Sequence, residues 1–195
     1  MGADSRQDRV ARWQRRVEEA PDSAAAHFNL GLAHTERGRM MAAEKAYRRA
    51  VELDPNLVQA WVNLGGALLM KWDFQGSLEA NQEAVRRKGD LVEAHYNMGQ
   101  AYLYLKNAEE LVRCNRRVLE LDENHPAAHY FLAVGLLATD QVEEARAACA
   151  RAASLGYQPR AEFLKSLDRA EKALVHSDTT SASPEATADG NAKEE

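Results

Sequence analysis

The chain has 195 residues, of which 45% are apolar and 28% charged, with a formal net charge of −5 and two cysteines. That length supports one domain of ordinary size. No run of 18 apolar residues occurs, which excludes a membrane-spanning helix, and the N-terminus MGADSRQDRV has no apolar core of a secretory leader. Cys114 and Cys149 lie far apart without CxxC spacing, so they read as small buried residues of a reducing compartment. A cytoplasmic location is the expectation.

Residues 1–6 are expected to be a flexible lead. In 7–23, Val10, Trp13 and Val17 fall on one helical face before Pro21 stops the pattern. From residue 24 the chain repeats at a spacing of 34: AHFNLGLA (26–33), AWVNLGGA (60–67), AHYNMGQA (94–101) and AHYFLAVG (128–135). Such a period predicts a stack of like units rather than one globular core. Each unit carries two helical patterns with a short break, as at Gly38, and a close at a residue such as Pro55. The units run 24–57, 58–91, 92–125 and 126–159. Small residues facing each other, Gly31 with Ala43, Gly65 with Ser77 and Ala133 with Ala145, let each pair of helices close.

After the fourth unit, residues 160–175 place Phe163, Leu167, Ala170 and Leu174 on one stripe, which suits a helix that caps an open stack. Residues 176–195 hold five acidic residues and one lysine, and lack Leu, Ile, Phe, Tyr and Trp. This segment cannot bury enough apolar area to offset its ordering entropy and is expected to be a disordered acidic tail. Without it the chain is close to neutral, so charge names no partner.

The pattern W-x2-L-G-x2-Y, then A-x3-F, then A and P, is that of the tetratricopeptide repeat, which this chain resembles. Trp61, Leu64, Gly65 and Ala84 match in the second unit, while Leu68, Ser77 and Asn81 depart. The first unit fits at Leu30, Gly31, Ala43, Tyr47, Ala50 and Pro55, with His27 for tryptophan and His34 for tyrosine. The third keeps Gly99 and Tyr102 but has Leu111 and Val118 at small-residue sites, so its second helix is expected to sit further out or tilt. The resemblance implies an all-α, right-handed solenoid of four repeats with flanking helices.

No catalytic signature stands out: there is no glycine-rich phosphate loop, HExxH or GxSxG. His27, His95 and His129 occupy one column, one per unit, too far apart to share a metal at its ~2 Å bond length. They read as packing residues, with no metal, cofactor or catalysis implied. The arginines Arg48, Arg49, Arg86, Arg87, Arg116 and Arg117 fall near the ends of the second helices, where the macrodipole favours cations. They do not interleave with aromatics, so no nucleic-acid partner is expected.

By resemblance, the first helices line the concave face. Asn29, Asn63 and Asn97, each 34 apart, can form a ladder there, because a carboxamide offers both a donor and an acceptor to an extended backbone. Phe28, Met70, Tyr96, Tyr104 and Tyr130 would supply apolar contacts, with Glu36, Lys71 and Glu93 as the few charges. An apolar peptide or amphipathic helix of a partner protein fits such a groove. The family's carboxylate clamp, two lysines, an arginine and asparagines, is not met: only Asn63 agrees. The expected function is a non-enzymatic adaptor or scaffold. The alternative is a homo-oligomer in which the groove accepts a terminal helix of another copy, with residues 7–20 as the donor. Trp72, in a turn where the family often has glycine, is either a partner anchor or a residue folded back on the stack.

Overall fold

The computed structural model describes residues 2–89 and 91–181, and the side chains of 9–89 and 91–174. Among these residues there are ten helices and no strand: α1 (Gly2–Glu19), α2 (Ala24–Thr35), α3 (Met40–Leu53), α4 (Val58–Met70), α5 (Phe74–Arg87), α6 (Val92–Tyr104), α7 (Ala108–Leu121), α8 (Pro126–Ala138), α9 (Val142–Ser154) and α10 (Ala161–Ser181). The architecture is a right-handed α-solenoid. α1 begins earlier than the expected start at residue 7, and α10 runs past residue 175. Residues 182–195, most of the expected tail, lie outside the described residues.

Punctuation is local and chemical. Ser23, Asp73, Asn107 and His125 cap α2, α5, α7 and α8 by accepting from the backbone N–H of Ala26, Gly76, Glu110 and Ala128. Every first helix ends in the same backbone hydrogen bond. The N–H groups of Arg39, Asp73, Asn107 and Gln141 reach back to the carbonyls of His34, Leu68, Tyr102 and Leu136 at 2.9–3.0 Å. The residue before each, Gly38, Trp72, Lys106 or Asp140, takes a left-handed φ of 58–67°. This is the Schellman ending; it suits glycine, which of the four units only the first has at that position.

The helices pair as α2 with α3, α4 with α5, α6 with α7 and α8 with α9, and each second helix also packs on the next first helix. First helices touch their successors, α4 with α6 and α6 with α8. Second helices are splayed, with open grooves of about 770 Å³ between α1 and α3, 380 Å³ between α3 and α5, and 810 Å³ between α5 and α7. The first helices therefore form the tighter, inner face.

The close approach within a pair differs in detail from the expected small-on-small contact. The space over Gly31 is filled by the Tyr47 ring, and that over Gly65 by the Asn81 carboxamide. A Cβ on Gly99 would stand 2.9 Å from Asn115 Nδ2. So an asparagine takes the aromatic site in the second and third units. Both are fully buried, and each back-bonds to its own helix: Asn81 Nδ2 to the Ser77 carbonyl (2.8 Å) and Asn115 Nδ2 to that of Leu111 (2.8 Å).

Another column explains how histidine stands where the family has tryptophan. Trp61 Nε1 donates to the Pro55 carbonyl at 2.9 Å. His27, His95 and His129 donate from Nε2 to the carbonyls of Pro21 (2.8 Å), Gly89 (3.1 Å) and Glu123 (2.9 Å), also six residues upstream. Either side chain carries an N–H to the same carbonyl, so these rings tie each unit to its preceding turn.

α10 covers the end of the stack. Phe163, Leu167, Ala170 and Leu174 pack on the cluster around Val142, Ala145 and Cys149, and Arg146 pairs with Asp168 (3.0 Å) and Glu171.

Candidate partner-binding groove

The inner face brings part of the predicted set together. Asn63 and Met70 of α4 and Glu93 and Asn97 of α6 line one pocket of about 270 Å³, with Thr35, Met40, Val62, Gly66 and Ala67 completing its wall. Asn29 Nδ2 donates to the Ala25 carbonyl and Asn63 Nδ2 to that of Gln59, each at 2.7 Å. Both amides thus direct a donor along their own helices, with each Oδ1 left as an acceptor. Asn97 differs: its Nδ2 turns toward α5 and donates to Asn81 Oδ1 at 3.3 Å. The ladder has two like rungs and one that is shared with the core.

The apolar set also divides. Met70 is 65% exposed and Tyr104 50%. Phe28 is half-buried, its ring 6.0 Å from that of Tyr47. Tyr96 is half-buried beside His125 (4.9 Å) and Phe131 (6.0 Å), and burial pushes its hydroxyl above the ordinary tyrosine value. Tyr130 departs from expectation. It is buried, stacked on Tyr157 at 4.7 Å and met edge-on by Phe163 at 5.3 Å. The end of the last repeat and the capping helix cover it, so it offers no surface to a ligand.

Of the three expected groove charges, two are spent within the fold. Glu36 pairs with Arg9 of α1, and Lys71 with Glu44 of α3. Glu93 is exposed in the first turn of α6 and makes no ion pair among the described residues. It gives the inner pocket its single charge.

Reading the sequence did not find Phe74. Its ring stacks on Tyr104 at 4.6 Å and 4°, and Trp72 meets both edge-on at 6.0 and 5.4 Å. The signal was the KWDF turn set in repeat register, which carries Trp72 and Phe74 to the end of α6 where Tyr104 lies.

The outer face is differently built. The α5–α7 groove has an apolar floor that includes Met98, Tyr102, Val112 and Cys114. Its rim arginines are bridged by carboxylates: Arg86 to Glu83, Arg113 to Glu110, Arg116 to Glu144. Burial pushes the Cys114 thiol up to about 11 and also raises that of Cys149, so neither presents a thiolate at neutral pH. Among the described residues no group of three or more His, Cys, Asp or Glu side chains suits a metal ion, and no helix is long and apolar enough to cross a membrane.

Comparison with known proteins agrees with this geometry. Residues 24–57 and residues 92–125 each match a family model described as a tetratricopeptide repeat. No curated protein matches the chain in sequence. Among solved structures, pilF of Pseudomonas aeruginosa superposes with a TM-score of 0.74 at 22% identity, covering 92% of this chain and 81% of that one. MamA from Desulfovibrio magneticus RS-1 gives 0.72 at 18%, covering 77% and 85%. YrrB, described as a tetratricopeptide repeat protein with an unusual peptide-binding site, gives 0.68 at 18%, covering 86% and 97%. At these identities the likeness concerns the fold. The chain thus carries tetratricopeptide repeats, matched by family models in the first and third units, with the same helix pairs built in the second and fourth.

Proposed function

We propose that the chain is a non-enzymatic adaptor that holds an extended segment of a partner protein against its inner face. The observation that carries this reading is the pocket where the acceptor oxygen of Asn63, the carboxylate of Glu93 and the exposed thioether of Met70 converge. A peptide backbone has N–H groups to give, and Asn29 and Asn63 present acceptors at one repeat's spacing. Met70 and Tyr104 add apolar surface that the fold itself leaves uncovered. YrrB, of like fold, is described by a peptide-binding site, which favours the same use of the architecture. Among the described residues, Cys114 and Cys149 are buried and protonated and His27, His95 and His129 are tied to backbone carbonyls, so none of these five is an activated nucleophile.

Self-assembly by donation of α1 is less favoured. α1 is seated on α2 of its own chain, with Val10 buried and Arg9 paired to Glu36, so donation would require undocking it. The test is capture of a partner from native lysate by the wild type and by Asn29→Ala/Asn63→Ala, with light scattering of each purified protein. A partner held by the wild type and lost by the folded variant is expected. An oligomer that persists in the variant, with no partner, would overturn the adaptor reading in favour of self-assembly.

A further inference from the structure

The turn between α4 and α5 carries an unusual residue at its left-handed position. Where the first unit has Gly38, and the third and fourth Lys106 and Asp140, the second places Trp72 at φ 64°. A bulky residue in the left-handed region is an outlier whose persistence points to function. Trp72 gains no burial in exchange, being 70% exposed. It leans on the stacked Phe74–Tyr104 pair, and the three rings with Leu69, Met70 and Gln100 enclose about 140 Å³. A cavity of ~150 Å³ holds one small apolar ring, and the five-membered ring of proline is within that size. Met70 is also a wall of the inner pocket, so the two sites adjoin on one strip.

We infer that the aromatic pocket of Trp72, Phe74 and Tyr104 receives a proline of the bound segment, and that the same segment sets a lysine or arginine against Glu93 about three residues away. This rests on the reading of the inner face as a peptide groove. Exposed rings around a shallow pocket are the setting in which proline-bearing extended segments dock, since the polyproline II form costs little ordering entropy. Charge decides the second element: Glu93 is the single charge of the inner pocket, and it is unpaired among the described residues while Lys71 is held by Glu44. Spacing decides the third. Glu93 stands in the first turn of α6, and Gln100, the near wall of the aromatic pocket, seven residues further on. At ~1.5 Å per residue Glu93 and that near wall lie about 10 Å apart along the helix, which a polyproline II chain spans in about three residues at ~3.1 Å each.

The probe is a displayed library of random dodecapeptides panned on the full chain, with dye-labelled recovered peptides then titrated by fluorescence anisotropy. Four proteins are compared: wild type, Asn63→Ala, Glu93→Gln and Trp72→Gly. The expected result is enrichment of a basic residue about three positions from a proline. Binding should weaken at least tenfold in Trp72→Gly and severalfold in Glu93→Gln, with melting temperatures near wild type. Glycine is what the first unit carries at this site, so the variant keeps its turn; Trp72→Lys, the third unit's choice, is the second check. Peptides that need Asn63 but lack proline, or are indifferent to Trp72, overturn this inference and leave the groove reading standing. No recovered peptide, or peptides indifferent to all three residues, overturns both.

Discussion

The carboxamide of Asn97 donates to the buried Oδ1 of Asn81 across 3.3 Å, joining the inner helix of the third repeat to the outer helix of the second. Among the described residues the equivalent amide of Asn63 bonds its own helix alone. The two asparagines share a column but not an energetic role. Asn97→Ala leaves Asn81 Oδ1 buried without that donor and is expected to cost about 1–2 kcal/mol of folding stability. Asn63→Ala is expected to stay within about 0.5 kcal/mol of wild type. Urea denaturation of both variants measures the difference, and equal losses would deny Asn97 its place in the core.

Adjacent glycines of α4 should respond with opposite sign. A Cβ on Gly65 overlaps the buried Asn81 carboxamide, whereas one on Gly66 would stand 3.7 Å from Asn97 Nδ2, an ordinary contact. Gly65→Ala is therefore expected to destabilise by about 1–3 kcal/mol through overpacking. Gly66→Ala is expected to stabilise by roughly 0.5–1 kcal/mol, because glycine is costly inside a helix. Thermal melts of the two variants decide it; a loss of stability in Gly66→Ala would show that the inner pocket has less room than described.

Much of this was legible in the repeat. The 34-residue period placed every helix pair, and the departure at Asn81 was visible as a break in the aromatic site, while its counterpart at Asn115 was passed over. What followed from them was not. That Asn97 turns inward depends on a polar atom one helix away, which no periodicity within the first helices reveals. The covering of Tyr130 depends on how Tyr157 and the capping helix dock. The left-handed φ of Trp72 could be suspected from Gly38 in the same slot, but its stack with Phe74 and Tyr104 needed two turns of different repeats to be brought side by side.

Histidine 34 makes stability depend on pH. Burial, then Arg39 and Arg37, holds its imidazolium pKa below the ordinary value near 6.5, and its Nδ1 is buried without a partner among the described residues. The unfolded chain takes up the proton at the ordinary value and the folded chain only at lower pH. The neutral ring's contribution is thus full at neutral pH and is lost as pH falls below about 6.5. Melting temperatures at pH 7.5 and 5.5 should differ more for wild type than for His34→Tyr. An unchanged difference would assign the dependence elsewhere.

The thiols should be silent in the folded protein. Cys114 and Cys149 are both buried, with burial raising both thiol pKa values. A chromogenic disulfide reagent at pH 7.5 is expected to label neither within minutes, and both once denaturant is added. Rapid native labelling of Cys114 would mean that the α5–α7 groove opens to solvent.

The most direct test of the groove sets its two faces against each other. A photo-reactive phenylalanine analogue is placed at Met70 on the inner rim or at Met41 on the outer side, 65% and 77% exposed. Each protein is then irradiated in native lysate. The adaptor account predicts a discrete adduct with a partner chain through position 70, abolished by Asn29→Ala/Asn63→Ala, and none through position 41. An adduct formed through position 41 alone, or one through position 70 that contains only a second copy of this chain, would contradict it.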